Sequence, residues 1–271
     1  MTQAEVEWRH YLRYRDAAEF ARIVNAVAVV DKVGVMWIGS GGVLLGAVGD
    51  VATAFGHISR TAFDYVDVFG VYHVDLGRLA EGIGGVSGPV ELMEFVPTQA
   101  TGWREFTSRF GGVLAAAGDR RVEVGRPDLR FERLMSRASF AAYFTKEVDS
   151  IKLDVKKAMR LAENRQSVRA VELLSGSKRI FKGTTLLNIL TVSYDAKLLG
   201  HILDAASPLV DKCEFVILDS GMLKAECRKK HVELQYFVKP QSPSDTQRKD
   251  IHAVRREDVL VRILDRLNSE T

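Results

Sequence analysis

Apolar side chains recur at helical spacing over Asp16 to Ala28, where Phe20, Ile23, Val24 and Val27 share one side and Asp16 with Glu19 makes an acidic start. Ahead of this predicted helix, Val6 to Arg15 alternates as a strand does. Behind it, Val33 to Ile38 and Val43 to Val48 are apolar runs joined by Gly39-Ser40-Gly41-Gly42, which reads as a hairpin. Alternation resumes at Ala54 to Ile58 and Phe63 to Val68, and Asp75 opens a second helix bearing Leu76, Leu79, Ala80 and Ile83. Val90 to Val96, Phe106 to Ala116 and Arg121 to Val124 are predicted strands. Their spacing is too short for parallel crossovers, so antiparallel pairing is expected.

A third helix is expected from Ile151 through LDVKKAMRLAE, with Ile151, Val155, Ala158 and Ala162 on one side and Lys152, Lys156 and Arg160 on another. Predicted strands at Val168 to Leu174, Arg179 to Lys182 and Leu186 to Val192 lead to a fourth helix at Asp195, bearing Leu198, Leu199, Ile202 and Ala206. Phe215 to Leu218, Leu223 to Cys227 and Val232 to Val238 close the body as strands. Beyond Gln241, SPSDTQRKD reads as a solvated linker. Arg256 to Leu267 then sets Leu260, Ile263, Leu264 and Leu267 at helical spacing, the pattern of a docking helix.

The chain repeats itself. Asp16-Ala17, Ile23, Val30-Asp31-Lys32, Ser40-Gly41 and Leu44 return in order as Asp195-Ala196, Ile202, Val210-Asp211-Lys212, Ser220-Gly221 and Leu223, with one residue gained in the helix segment and one lost in the turn. A weaker echo relates Asp75 to Leu92 with Asp154 to Leu173, each a helix followed by Val-Glu-Leu. Two βα halves in each of two domains account for both, which makes the fold class α+β.

Composition narrows the function. With 271 residues, 46% hydrophobic, the chain can build a real core, and a net charge of +3 excludes a polybasic histone-like protein, so any nucleic-acid contact must be local. Such a concentration exists: Lys146 to Lys182 holds ten basic and five acidic residues, an excess larger than that of the whole chain. Cys213 and Cys227 offer neither a disulfide framework nor a zinc ligand set, so a reducing interior is expected. No apolar run reaches the roughly 20 residues of a membrane span, and the polar start is unlike a signal peptide; a soluble protein with no membrane partner is expected.

Phe63-Asp64-Tyr65 followed by Val74-Asp75-Leu76 and a helix resembles the first-domain pattern of the PCNA-type DNA sliding clamps of archaea and eukaryotes. The strand Cys213 to Leu218, the turn Asp219 to Gly221, the strand Met222 to Cys227 and the run His231 to Pro240 resemble that family's closing hairpin and terminal Pro segment. The resemblance spans about residues 6 to 241. It implies a clamp fold of two similar antiparallel-sheet domains with two helices each: domain 1 at 1–118, a connector at 119–136 and domain 2 at 137–241; the C-terminal extension at 242–271, with its predicted helix, lies beyond the resemblance. It further implies a non-enzymatic processivity factor, a homotrimeric ring or a heterotrimer with paralogues, that encircles double-stranded DNA without sequence preference. Polymerase, clamp loader and repair proteins would dock on it, in the cytoplasm of an archaeon or the nucleus of a eukaryote. A checkpoint-type paralogue shares the same architecture.

The same resemblance assigns sites. Helices lining the hole would meet phosphates through Lys152, Lys156, Lys157, Arg160 and Arg165 on the third helix and Arg22, Arg78 and Lys197 on the others; phosphate attraction lets a ring slide where base-edge contacts would stop it. A partner peptide would seat against Phe131, Leu134 and Met135 of the connector, Gly49, Asp50 and Val51, and Lys239, Pro240 and Gln241. Three features depart from the family pattern: a pI near 8.8 where these clamps are commonly acidic, a second domain that looks short between Leu174 and Arg179, and the tail that follows Gln241.

No catalytic residue, metal or cofactor is expected. His10, His57, His73, His201, His231 and His252 show no ligand spacing, and no nucleophile elbow or acid pair stands out. The competing reading is a small α+β enzyme holding a phosphorylated ligand in the Gly39 to Gly42 loop, though that loop matches no phosphate-binding motif and a strand rather than a helix follows it.

Overall fold

The computed structural model describes residues 6–67, 70–97, 113–127, 147–174 and 192–241. Its recurring piece is a strand running into a helix across an aspartate. Strands β1 (Val6–Tyr14), β6 (Gly70–Asp75), β10 (Glu147–Asp154) and β12 (Ser193–Asp195) lead into helices α1 (Ala17–Ala28), α2 (Leu76–Ile83), α3 (Val155–Ala162) and α5 (Ala196–Ala206). At each junction the aspartate is the N-cap. Asp16, Asp75 and Asp195 accept from the Glu19, Arg78 and Leu198 amides at 2.8–3.0 Å, and Asp154 accepts from Lys156 and Lys157.

The first amide of each helix is also satisfied in the same way four times. Ala17 N–H donates to Gly88, Leu76 to Lys32, Val155 to Asp211 and Ala196 to Gln166, each carbonyl lying just ahead of another strand. Those strands are β7 (Val90–Pro97), β2 (Val33–Gly39), β13 (Lys212–Leu218) and β11 (Ser167–Arg169), and each pairs antiparallel with the strand that precedes the helix. The units therefore exchange strands, and no helix is anchored by its own unit alone.

The remaining strands are β3 (Gly42–Val48), β4 (Ala52–Ser59), β5 (Phe63–Val66), β8 (Val113–Ala117), β9 (Arg120–Pro127), β14 (Leu223–Lys229) and β15 (Val232–Val238). The large sheet runs β10-β13-β14-β15-β4-β3-β2-β6-β9-β8-β7-β1-β5, and its first eight strands read as a palindrome about the β15/β4 seam. Phe55 lies opposite Gln235, its own counterpart, which places a local two-fold axis there. The Ser59 amide to the His231 carbonyl (2.8 Å) and the Lys239 amide to the Val51 carbonyl (2.9 Å) are mates under that axis.

Packing at the seam follows from size. On the core side Ala52, Ala54 and Gly56 lie opposite Val238, Tyr236 and Leu234. A Cβ on Gly56 would stand 2.8 Å from Val27, so the small strand lets α1 settle close while the large side chains of β15 fill the space beside it. One continuous core joins both halves.

Several expectations change. Ile151 to Asp154 is strand, so α3 starts at Val155 and Lys152 is not helical. After Ser167–Arg169 the predicted strand gives way to a helical turn, α4 (Ala170–Leu173). The strand predicted at Arg121 to Val124 is present and longer, Arg120–Pro127. Register matches Val33 with Lys212 and Lys32 with Asp211, one step from the sequence match. The extra residue lies in the turn, because Gly39 and Gly42 close over Ser40-Gly41 whereas Leu218, whose amide donates to the Met222 carbonyl, closes over Asp219-Ser220-Gly221. Cys213 and Cys227, read from the sequence as offering no disulfide framework, form a disulfide. The strand predicted at Phe106 is described only from Val113, while Arg179 to Lys182, Leu186 to Thr191 and the C-terminal helix lie outside the described residues.

Candidate functional site

Four helices lie side by side. α2 packs on α1, α1 meets α5 across the seam, and α5 packs on α3. Each buries one stripe: Leu76, Leu79, Ala80 and Ile83 in α2, Phe20, Ile23, Val24 and Val27 in α1, Leu199, Ile202, Leu203 and Ala206 in α5, Val155, Ala158 and Ala162 in α3. What remains exposed is the outer face of the row. It carries Arg78 and Glu81 on α2, Arg22 and Asn25 on α1, Lys197, His201 and Asp204 on α5, and Lys156, Lys157 and Arg160 on α3.

The structure thus brings six of the eight predicted basic residues onto one face. Lys152 is not among them: it lies opposite Glu214 in register, on the sheet face away from the core, with its ammonium 3.9 Å from that carboxylate. Arg165 follows α3 but is tied 3.0 Å from Glu172. That carboxyl is held below the ordinary carboxylate range first by the Arg169 backbone N–H, and then by the charges of Arg165 and Arg169. Sequence reasoning missed the acids Glu81 and Asp204 on the same face; helical spacing from Arg78 and Lys197 would have found them.

α3 is the most basic element of the row and the shortest lever for testing it. Its start depends on Asp154, so Asp154→Ala is expected to cost about 0.5–2 kcal/mol. In urea titration the midpoint should fall with an unchanged slope; an unmoved midpoint would mean that sheet pairing alone holds the helix.

A second surface forms at one end of the seam. Lys239 Nζ donates to the Asp50 carbonyl at 2.7 Å and the Lys239 amide to Val51, so the predicted Gly49 to Val51 and Lys239 to Gln241 segments do meet. Val51 is exposed, whereas Pro240 is buried and the Gln241 amide is turned to the Ser193 carbonyl. Phe131, Leu134 and Met135 lie outside the described residues. On the sheet face opposite the helices, Val216, Leu218 and Met222 cluster with Phe237, whose ring stands 6.3 Å from that of Phe55. The unbroken apolar run Phe215 to Leu218, in place of alternation, is the sequence signal for a strand buried on both faces.

Gly39 pairs with Gly42 across a tight turn, and the Gly41 carbonyl accepts the Arg60 amide at 2.8 Å. Gly42 has φ +124° and a Cβ there would stand 2.0 Å from the Ile58 carbonyl, so glycine is demanded by the hairpin. No helix N-terminus follows to cradle a phosphate. Among the described residues, no three His, Cys, Asp or Glu side chains gather as a metal site, and no helix is long and apolar enough to cross a membrane.

No family model and no curated protein matches the sequence. Among solved structures the chain is similar to the crystal structure of Proliferating Cellular Nuclear Antigen from Entamoeba histolytica, at TM-score 0.61 and 13% identity over 86% of this chain and 99% of that one. Identity at that level speaks to architecture alone: the fold is that of the PCNA-type sliding clamps, α+β with paired helices over antiparallel sheet.

Proposed function

We propose that this chain is one subunit of a ring that encircles duplex DNA and tethers replication and repair proteins to it, as a homotrimer or with paralogues. The observation that carries the reading is the row α2-α1-α5-α3, whose exposed face holds Arg78, Arg22, Lys197, Lys156, Lys157 and Arg160 against Glu81 and Asp204. Such a face attracts phosphates without reading bases, which is what a sliding protein needs. Arg165, already paired, would contribute less, and Lys152 nothing.

Polymerase, clamp loader and other partners would dock at the Gly49 to Val51 and Lys239 to Gln241 segments, completed by Phe131, Leu134 and Met135. The ring would act in the cytoplasm of an archaeon or the nucleus of a eukaryote. Chemistry on DNA would belong to the tethered enzymes, with the ring supplying local concentration.

Native mass spectrometry of the chain, alone and with its paralogues, is expected to give a trimer, and that trimer to lengthen the products of a cognate polymerase on primed circular DNA. A chain that forms no trimer in any mixture and leaves product length unchanged would sink the proposal.

A further inference from the structure

Cys213 and Cys227, 14 residues apart in sequence, lie directly opposite in the β13–β14 register with Cα atoms 4.3 Å apart and are joined by a disulfide. Both are buried, at 1% and 0% exposure. They sit mid-row in the core: Leu153 of β10 flanks Cys213, while Leu234 of β15 flanks Cys227 and in turn faces Gly56 across the seam. β10 is the strand that runs into α3, and the Asp211 carbonyl two residues ahead of Cys213 accepts the first amide of that helix.

We propose that this bond is a redox-dependent staple that fixes the anchor of α3 to the seam, and that its burial makes it exchangeable only when β13 and β14 open. Formation takes the two thiols to a disulfide with loss of two electrons. An exchanging disulfide of a small thiol or a thiol carrier accepts them, and its two sulfurs leave as thiols with the two protons. Attack in either direction needs a thiolate in line with a sulfur, which the closed core denies. The oxidised form is therefore kinetically trapped: in the folded protein reduction follows local opening rather than reductant concentration.

Four measurements on the full chain test this, none involving DNA, so their failure leaves the ring proposal standing. Alkylation of the air-purified protein under denaturing conditions should label neither cysteine, and full labelling of both without reductant overturns the inference. Dithiothreitol should reduce the bond on the order of a hundredfold more slowly in buffer than in denaturing urea; equal rates would show an accessible bond and overturn it. The reduced wild type, and separately Cys213→Ala with Cys227→Ala, should melt roughly 6–12 °C lower. In the reduced wild type, amide exchange should accelerate in Val155–Ala162 and Lys212–Leu218. Unchanged exchange in those segments would refute the link to α3.

Discussion

Replacing Lys156, Lys157 and Arg160 together by alanine is expected to flatten the salt dependence of duplex binding by the assembled protein. Each phosphate contact contributes about 0.9 to the slope of log affinity against log salt, so three lost contacts lower it by up to roughly 2.7. Fluorescence anisotropy with a short duplex over a salt series reads this directly. Stability should hardly move, because all three side chains are exposed while the packing of α3 rests on Val155, Ala158 and Ala162.

Lys152→Ala is the informative control. It lies only four residues from Lys156 but on the opposite sheet face beside Glu214, and should leave the slope unchanged. Were Lys152 to matter as much as the α3 triple, the binding surface would not be the helix row. Equal slopes for the wild type and the triple variant would remove the basis of the proposed DNA contact altogether.

The difference between Lys152 and Lys156 also shows where sequence legibility ends. Ile151, Val155, Ala158 and Ala162 fit one helical stripe, and nothing in their spacing separates Ile151 from the rest. The break is made by Asp154, whose carboxylate caps Lys156 and Lys157, and by β13, whose pairing draws Ser150 to Asp154 into the sheet. Helical spacing ran the stripe back to Ile151; a tertiary partner decided that the residues before the Asp154 cap were strand.

The tripeptide Val-Glu-Leu makes the same point in reverse. At Val90 to Leu92 it is strand, with Val90 and Leu92 in the core and Glu91 turned out to Arg13 and His10. At Val171 to Leu173 it is a helical turn in which Glu172 accepts the Arg169 amide at 2.8 Å. Identical residues took the form that their neighbours could satisfy. The presence of the four helices, by contrast, was legible because each carries an amphipathic stripe beside an aspartate, information that lies within a few residues; only the start of α3 was misplaced. The cystine was illegible for the opposite reason: it depends on a register between strands, set by a turn one residue longer than its counterpart.

Tyr236 is where the seam is expected to be most sensitive. Its ring is fully buried in β15 opposite Ala54, and its hydroxyl donates at 3.0 Å to the Ala26 carbonyl in the last turn of α1, tying a strand of one half to a helix of the other. Tyr236→Ala removes ring and hydrogen bond together and should cost about 3–5 kcal/mol. Tyr236→Phe keeps the ring but strands the Ala26 carbonyl, at about 1–3 kcal/mol. Melting should fall by roughly 2–4 °C per kcal/mol for a chain of this size.

Alkali separates the hydroxyl's role from a packing defect. Burial pushes the Tyr236 hydroxyl, and likewise that of Tyr194, well above the ordinary tyrosine range, so the folded protein keeps protons that the unfolded chain gives up near pH 10. The folded state then binds more protons, and stability falls as pH rises past that point by about 1.4 kcal/mol per pH unit for each such tyrosine. Tyr236→Phe removes one of these buried hydroxyls, so its deficit at neutral pH should narrow above pH 10. A deficit constant through pH 11 would show that the hydroxyl ionises as readily folded as unfolded, and that Tyr236 is not sealed in the seam.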